Sequence, residues 1–332
     1  MPKPVNMQFS QVAPNQAFTS QPLTNHSLAY FQDAEDFIAT KVLPVFEVPK
    51  GDRTGDIYSY GKSALRIVDS QRATGWAYNK INLEVEKTGI YRLEDYGLSG
   101  EVLLEDVRFA ETPIDAEIDI TETITQKLML DQEKKVADSL SSTSVITQNV
   151  TLVGNDQWSA YTTSNPFEDI QAAISSVKQN STKIPNTLIL AYNTFETLQY
   201  HPLVLSTFPW AAVITKQMVA DKLGAIFGFD NVFIGKTQYT DSNLGAASQP
   251  NSYVWDKVAI VAYVEKTPRL KTRTLGWTFT DPSMWNVESW PVDTLGDHAI
   301  RRRVNSLVIV NMWYDQVIVD ATCAYLIKDA IA

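Results

Sequence analysis

The 332-residue chain holds one cysteine, Cys323, which excludes an internal disulfide and any multi-thiolate metal site. Cys323 sits in the apolar run Val317–Ile327 and reads as a buried, inert thiol. Histidine is scarce too: His26, His201 and His298 are the only three, and none stands four residues from another or in a zinc-type motif. His201, just before Pro202, reads as a capping or packing residue. No G-x-S-x-G elbow occurs, and no G-x-G-x-x-G follows a strand pattern. The longest apolar runs, around 203–214 and 304–327, are interrupted by Pro209, Asn311, Asp315 and Asp320. Neither reaches the roughly 18–20 apolar residues that span a bilayer, so no membrane association is expected. Lys3 is followed by no apolar stretch of a secretory signal, and the protein is expected to be cytosolic when made. A surplus of positive charge is missing as well. Lys and Arg number 28 against 38 Asp and Glu, for a net charge of −10, which argues against general affinity for nucleic acid.

The remaining chemical candidates are weak. Gly61-Lys62-Ser63 resembles the end of a phosphate-binding loop, but Gly55 is one residue too far upstream and no strand-to-helix context surrounds it. The acidic pairs Glu111/Asp115 and Asp115/Asp119 lie near the start of a helical pattern, where the helix dipole favours negative charge. Eight Trp and fourteen Tyr are compatible with a glycosidase-like enzyme, yet nothing places two carboxylates across a cleft. No cofactor is implied. Arg269, Lys271 and Arg273 are more suggestive: on a strand, alternate residues share a face, so three cations would stand in a row. An acidic partner on a neighbouring subunit would relieve their repulsion; a plain solvated face is the alternative. With Arg66 and Arg72 they form the candidate set of intersubunit contacts, and Arg301–Arg303 adds a second basic cluster.

What is present is a change of texture along the chain. Residues 1–30, rich in Gln, Asn, Pro and Ser, cannot bury enough apolar surface to offset ordering entropy and read as an arm that orders only against a partner. An apolar stretch, 37–50, ends in the turn Lys50-Gly51-Asp52. Around 81–95 apolar and polar residues alternate, predicting a half-exposed strand of a long hairpin within 51–100. The stretch 114–141 predicts one long helix with a stripe of Ile120, Ile124, Leu128, Val136 and Leu140, broken by Gln132; Asp119 and Glu122 suggest a capping box. From 165 helices and strands alternate: Asn165-Pro166 opens a helix, then come a strand at 186–192, helices at 193–200 and 215–223, and strands at 231–235 and 257–265. After 266 the pattern is mostly strand, at 269–280 and 301–327.

An ordered set of short segments is similar to the major capsid protein family of tailed bacteriophages. It comprises Trp158, Ser164-Asn165-Pro166, Asp169-Ile170, Ala172-Ala173-Ile174, Pro185 to Leu190, Leu198, His201-Pro202, Asn231 to Gly235, Lys257 to Val261 and Gly276 to Phe279. The resemblance implies an α+β, Hong Kong 97-like fold. It would have an N-terminal arm (1–50), an extended loop (51–100), a peripheral domain (101–164 and 266–317, spine helix about 119–141) and an axial domain (165–265 and 318–332). It also implies a non-enzymatic subunit that self-assembles in the host cytoplasm into hexamers and pentamers of an icosahedral virion shell around double-stranded DNA. Portal, scaffolding and decoration proteins are the implied partners, and DNA is met only by non-specific proximity. An encapsulin-type compartment is the alternative within the fold. Lys62 and Lys80 lie where some relatives cross-link, but no Asn partner or catalytic carboxylate is identifiable.

Overall fold

The computed structural model describes residues 18–19, 23–27, 36–60, 67–68, 70–71, 85–103, 113–208, 215–242, 250–269, 271–291 and 304–332. In chain order the elements are β1 (Phe18–Thr19), α1 (23–27), α2 (Ala39–Val42), β2 (Val45–Glu47), β3 (Thr54–Tyr60), β4 (Val85–Arg92), β5 (Glu94–Leu103) and α3 (Pro113–Leu140). There follow β6 (Asn149–Thr151), α4 (Pro166–Ser181), β7 (Thr187–Ala191), α5 (Tyr192–Gln199), α6 (Pro202–Leu205), α7 (Lys216–Phe227) and β8 (Asn231–Gly235). The last are β9 (Gln238–Tyr239), β10 (Ser252–Tyr253), β11 (Ala259–Ala262), β12 (Gly276–Thr280), β13 (Asn286–Pro291), β14 (Val304–Ile318) and β15 (Ala324–Lys328). They divide into two compact units, one of residues 1–34, 95–128 and 283–313, the other of 35–94, 129–282 and 314–332.

In the first unit α3 begins at Pro113, six residues before the expected cap. Proline suits a first helical position because its missing N–H would have no partner there. Asp119 and Glu122 are therefore interior: the Asp119 carbonyl accepts from the Thr123 hydroxyl, and Glu122 takes His26 Nε2 at 2.7 Å. The buried stripe is partly polar, since Thr121 and Thr125 are both 0% exposed. Each satisfies its hydroxyl on the carbonyl four residues back, Glu117 and Thr121, at 2.7 Å. Ser27 also meets Thr125, at 2.8 Å. Residues 23–27, expected to wait for a partner, thus order against the chain's own long helix. β13 pairs antiparallel with β1 and with the first part of β14. Val287, Val308 and Val310 are buried on one face.

In the second unit the strand order is β6-β15-β11-β7-β8, with β7 and β8 parallel. β7 is buried throughout because both faces are covered. Leu188 and Leu190 pack with Ile170, Phe195 and Leu223 on one side; Ile189 packs with Val136, Leu140 and Trp255 on the other. Each such aliphatic side chain contributes about 1.5–3 kcal/mol of burial. Local sequence sets the ends: Asn165 accepts from the Glu168 amide ahead of Pro166, Thr215 accepts from the Met218 amide, and Gly228 ends α7 at φ 75°.

Two predicted strands are shorter than expected. The 269–280 strand starts only at Gly276, and Lys271–Thr272 form a turn and bend, so Arg269, Lys271 and Arg273 share no strand face. The 301–327 strand is two strands, because Asp320 turns the chain: its Oδ1 accepts from the Thr322 amide at 3.0 Å and opens a single 3₁₀ turn at 321–323. After that turn β15 joins the sheet of β11 and β6.

Candidate assembly surfaces

β3 and β4 form the hairpin, antiparallel from Thr54↔Arg92 to Tyr60↔Val85, with a bulge at Ile57/Tyr58 that leaves Thr88 without an opposite residue. Its root is anchored. Tyr91 is buried, lies across Gly55 where a Cβ would come within 2.5 Å of its hydroxyl, and stacks on Phe279 at 4.5 Å and 13°. Asp281 and Asp315 accept from the backbone amides of Gly51 and Arg92. Beyond the root one face stays covered, with Ile57 and Ser59 buried, and the other is exposed. Tyr58 is 38%, Val85 36% and Ile90 57% exposed, and in the connection Ile67 is 97% exposed. Lys87 pairs with Asp56 at 2.7 Å across the strands, and that contact holds the Asp56 carboxyl below its usual range. A two-stranded ribbon of this kind has too little buried surface to be stable far from support.

A second anchor ties residues 38–43 into the core of this unit. Glu133, on α3, is 0% exposed. Its Oε2 accepts from the Ile38 and Ala39 amides at 3.0 and 2.6 Å, and its Oε1 accepts from Trp255 Nε1 at 2.6 Å. Burial raises its carboxyl above the ordinary value, while these three donors and Lys41 oppose the shift. Val42 and Leu43 are then buried, and β2 pairs parallel with β12. No sequence motif announced Glu133; the only hint was a charge beside Gln132 where the apolar stripe lapses.

Of the candidate cations, Arg66 and Arg72 lie outside the described residues, as do Lys62, Lys80, His298 and Arg301–Arg303. Arg269 and Lys271 are exposed. Arg273 turns inward: its Nε is 3.1 Å from Asp320 Oδ2, with only 15% and 10% of the two side chains exposed, and its Nη1 donates to the Ser181 carbonyl. That ion pair is internal, so the structure separates Arg273 from the two exposed cations.

The buried polar groups are arranged for packing. The Leu203 amide donates to His201 Nδ1, so Nε2 carries the proton and faces Ser164 Oγ at 3.2 Å, which itself donates to the Ala160 carbonyl. In that tautomer His201 has no free lone pair for Ser164 and caps α6 instead. Burial lowers its pKa. Cys323 is buried and its thiol is pushed up to about 12, chiefly by desolvation. Among the described residues no group of His, Cys, Asp or Glu could hold a metal ion, and no helix is long and apolar enough to cross a membrane.

No protein-family model and no curated protein matches the sequence. Solved structures do. A phage-related protein from Bordetella bronchiseptica is similar at TM-score 0.73 and 20% identity, over 95% of this chain and 99% of that one. The virus-like particle from Pyrococcus furiosus gives TM-score 0.54 at 12% identity, over 93% of this chain and 98% of that one. The capsid of the cyanophage P-SCSP1u gives 0.51 at 10% identity, over 98% and 92%. The fold is the Hong Kong 97-like capsid fold. Within this capsid fold the chain has the hairpin of β3 and β4, the long helix α3 and a last strand, β15, in the sheet of β6 to β8.

Proposed function

We propose that this chain is the major capsid protein of a tailed phage, a subunit of an icosahedral shell of hexamers and pentamers enclosing double-stranded DNA. The observation that carries the reading is the capsid fold along nearly the whole chain, matched over 99% of the phage-related protein. The exposed apolar residues of the hairpin support it, because a ribbon that cannot bury itself is suited to rest on another copy. The role is structural: geometry replaces catalysis, and many weak repeated contacts sum to a stable container. Assembly takes place in the host cytoplasm, the mature protein belongs to the virion, and portal, scaffolding and decoration proteins join the shell. With a net charge of −10 the subunit meets packaged DNA by proximity instead of by a basic binding face. Arg269 and Lys271, exposed and off any strand, serve as intersubunit contacts.

Electron microscopy of the protein expressed in bacteria tests the proposal. Closed shells tens of nanometres across are expected. A discrete monomer or dimer under every assembly condition would sink it.

A further inference from the structure

Among the described residues, strand β8 is the last strand of its sheet and has one neighbour, β7. Among the described residues, no hydrogen bond outside that ladder reaches a backbone group of residues 232–235. Folded proteins guard such edges with charge, proline or a bulge. β8, Asn231-Val232-Phe233-Ile234-Gly235, has no charged residue, no proline and no break in register. Beside it lies a cavity of about 340 Å³ between Asn231–Phe233 and the Ala220, Gly224 and Ala225 side of α7. The small residues on α7 leave the room. The charged residues lining the cavity are Asp221 and Asp230, with no Lys or Arg; Lys266, outside the lining, pairs with Asp230 at 3.3 Å.

We propose that this open edge takes residues 5–10 of a second copy of the chain as an added strand. Val5-Asn6-Met7-Gln8-Phe9-Ser10 alternates apolar and polar residues, the pattern of an extended strand with one face against a protein surface. Six residues extend about 20 Å, enough to run the length of β8. Charge fits as well: Lys3 precedes the segment, and no Asp or Glu occurs before Asp33, so the most acid-free part of an acidic chain would meet a groove whose charged lining residues are both acids. The same region already completes a sheet elsewhere, since Phe18–Thr19 adds to the edge strand β13. The inference rests on the shell reading and specifies where an arm would land.

The test uses full-length protein with a photo-cross-linking amino acid at Ala225, which is exposed and lines the groove. Light and heavy-isotope copies are mixed, assembled, irradiated and digested. Expected are peptides joining position 225 to residues 1–12, including mixed light–heavy pairs, with yield falling several-fold in a Met7→Asp/Phe9→Asp variant. Shells whose cross-links map elsewhere, map only within one copy, are absent, or persist undiminished in the variant would overturn the inference and leave the shell reading standing. No shells at all would overturn both.

Discussion

Trp255 donates its indole N–H to Glu133 at 2.6 Å, one of three hydrogen bonds by which this carboxylate joins distant parts of the sequence. The other Glu133 oxygen holds the amides of Ile38 and Ala39. The Trp255 ring covers Gly235, where a Cβ would overlap it. The end of an arm, the long helix and the edge of a sheet are therefore fixed to each other through a single buried carboxylate. Such a group is tolerated only because three donors surround it.

Glu133→Gln should destabilise the subunit by about 1–3 kcal/mol, because an amide cannot accept from all three N–H groups and turns its own donors toward one of them. Trp255→Phe leaves one lone pair free and should cost a similar amount. Urea unfolding of both single variants and the double variant checks this. The losses should be clearly non-additive, since the residues share one interaction. Additive losses would mean that the contact carries little.

Acidification should weaken the subunit through His201. Its ring is held neutral and its pKa is depressed by burial below the ordinary 6.5. The unfolded chain therefore binds a proton that the native chain refuses, so this contribution is full above 6.5 and is lost as pH falls. Glu133 acts in the opposite sense: its carboxyl is raised above 4.5, the native state keeps its proton to higher pH, and its contribution shrinks as pH rises. Comparison with His201→Asn, which keeps the cap acceptor, separates the two. From pH 7.5 to 5.5 the urea midpoint of the wild type should fall more than that of the variant; parallel shifts would refute the assignment.

Elements governed by local rules were legible in the sequence. Asn165-Pro166 and Thr215 mark helix starts by their own hydrogen-bonding chemistry, and Thr187–Ala191 reads as a buried strand from its unbroken apolar run. Elements governed by distant partners were not. Gly276 starts a strand only where β2 and β14 flank it, and Arg273 leaves the strand pattern because Asp320 draws it in. Thr121 and Thr125 had no place in the apolar stripe, yet both are buried, since the helix itself supplies acceptors for their hydroxyls. The hairpin was legible for a different reason, as the alternation of Ile81, Leu83 and Val85 with polar residues marks a strand with one polar face. Glu133 had no such signature, because what makes it structural is three donors up to 122 residues away.

The basic residues should divide cleanly. Arg273→Ala leaves Asp320 uncompensated with 10% of its side chain exposed, and removing one member of a buried pair costs about 3–5 kcal/mol. Arg269→Ala and Lys271→Ala touch exposed side chains and should change stability by less than about 0.5 kcal/mol while slowing assembly. Thermal melts of the subunit and light-scattering assembly curves read the two effects separately. A stable Arg273→Ala, or exposed-site variants that melt early, would reverse the division.

The hairpin offers the sharpest separation between folding and assembly. Val85 and Ile90 are 36% and 57% exposed, so each keeps apolar surface that the chain itself leaves uncovered. Replacing both with Thr keeps the β-branched shape and avoids placing a second acid opposite Asp56, the cross-strand partner of Ile90. Subunit stability should move by less than about 0.5 kcal/mol. If the ribbon rests on a neighbouring copy, however, the variant loses about 1–2 kcal/mol of apolar burial per subunit, which corresponds to roughly a tenfold rise in the concentration needed for assembly. Sedimentation of shells against free subunit over a dilution series measures that threshold. An unchanged threshold would place the ribbon's apolar face outside the interface. A shift without loss of subunit stability would fix it as a surface that the protein completes only with another copy of itself.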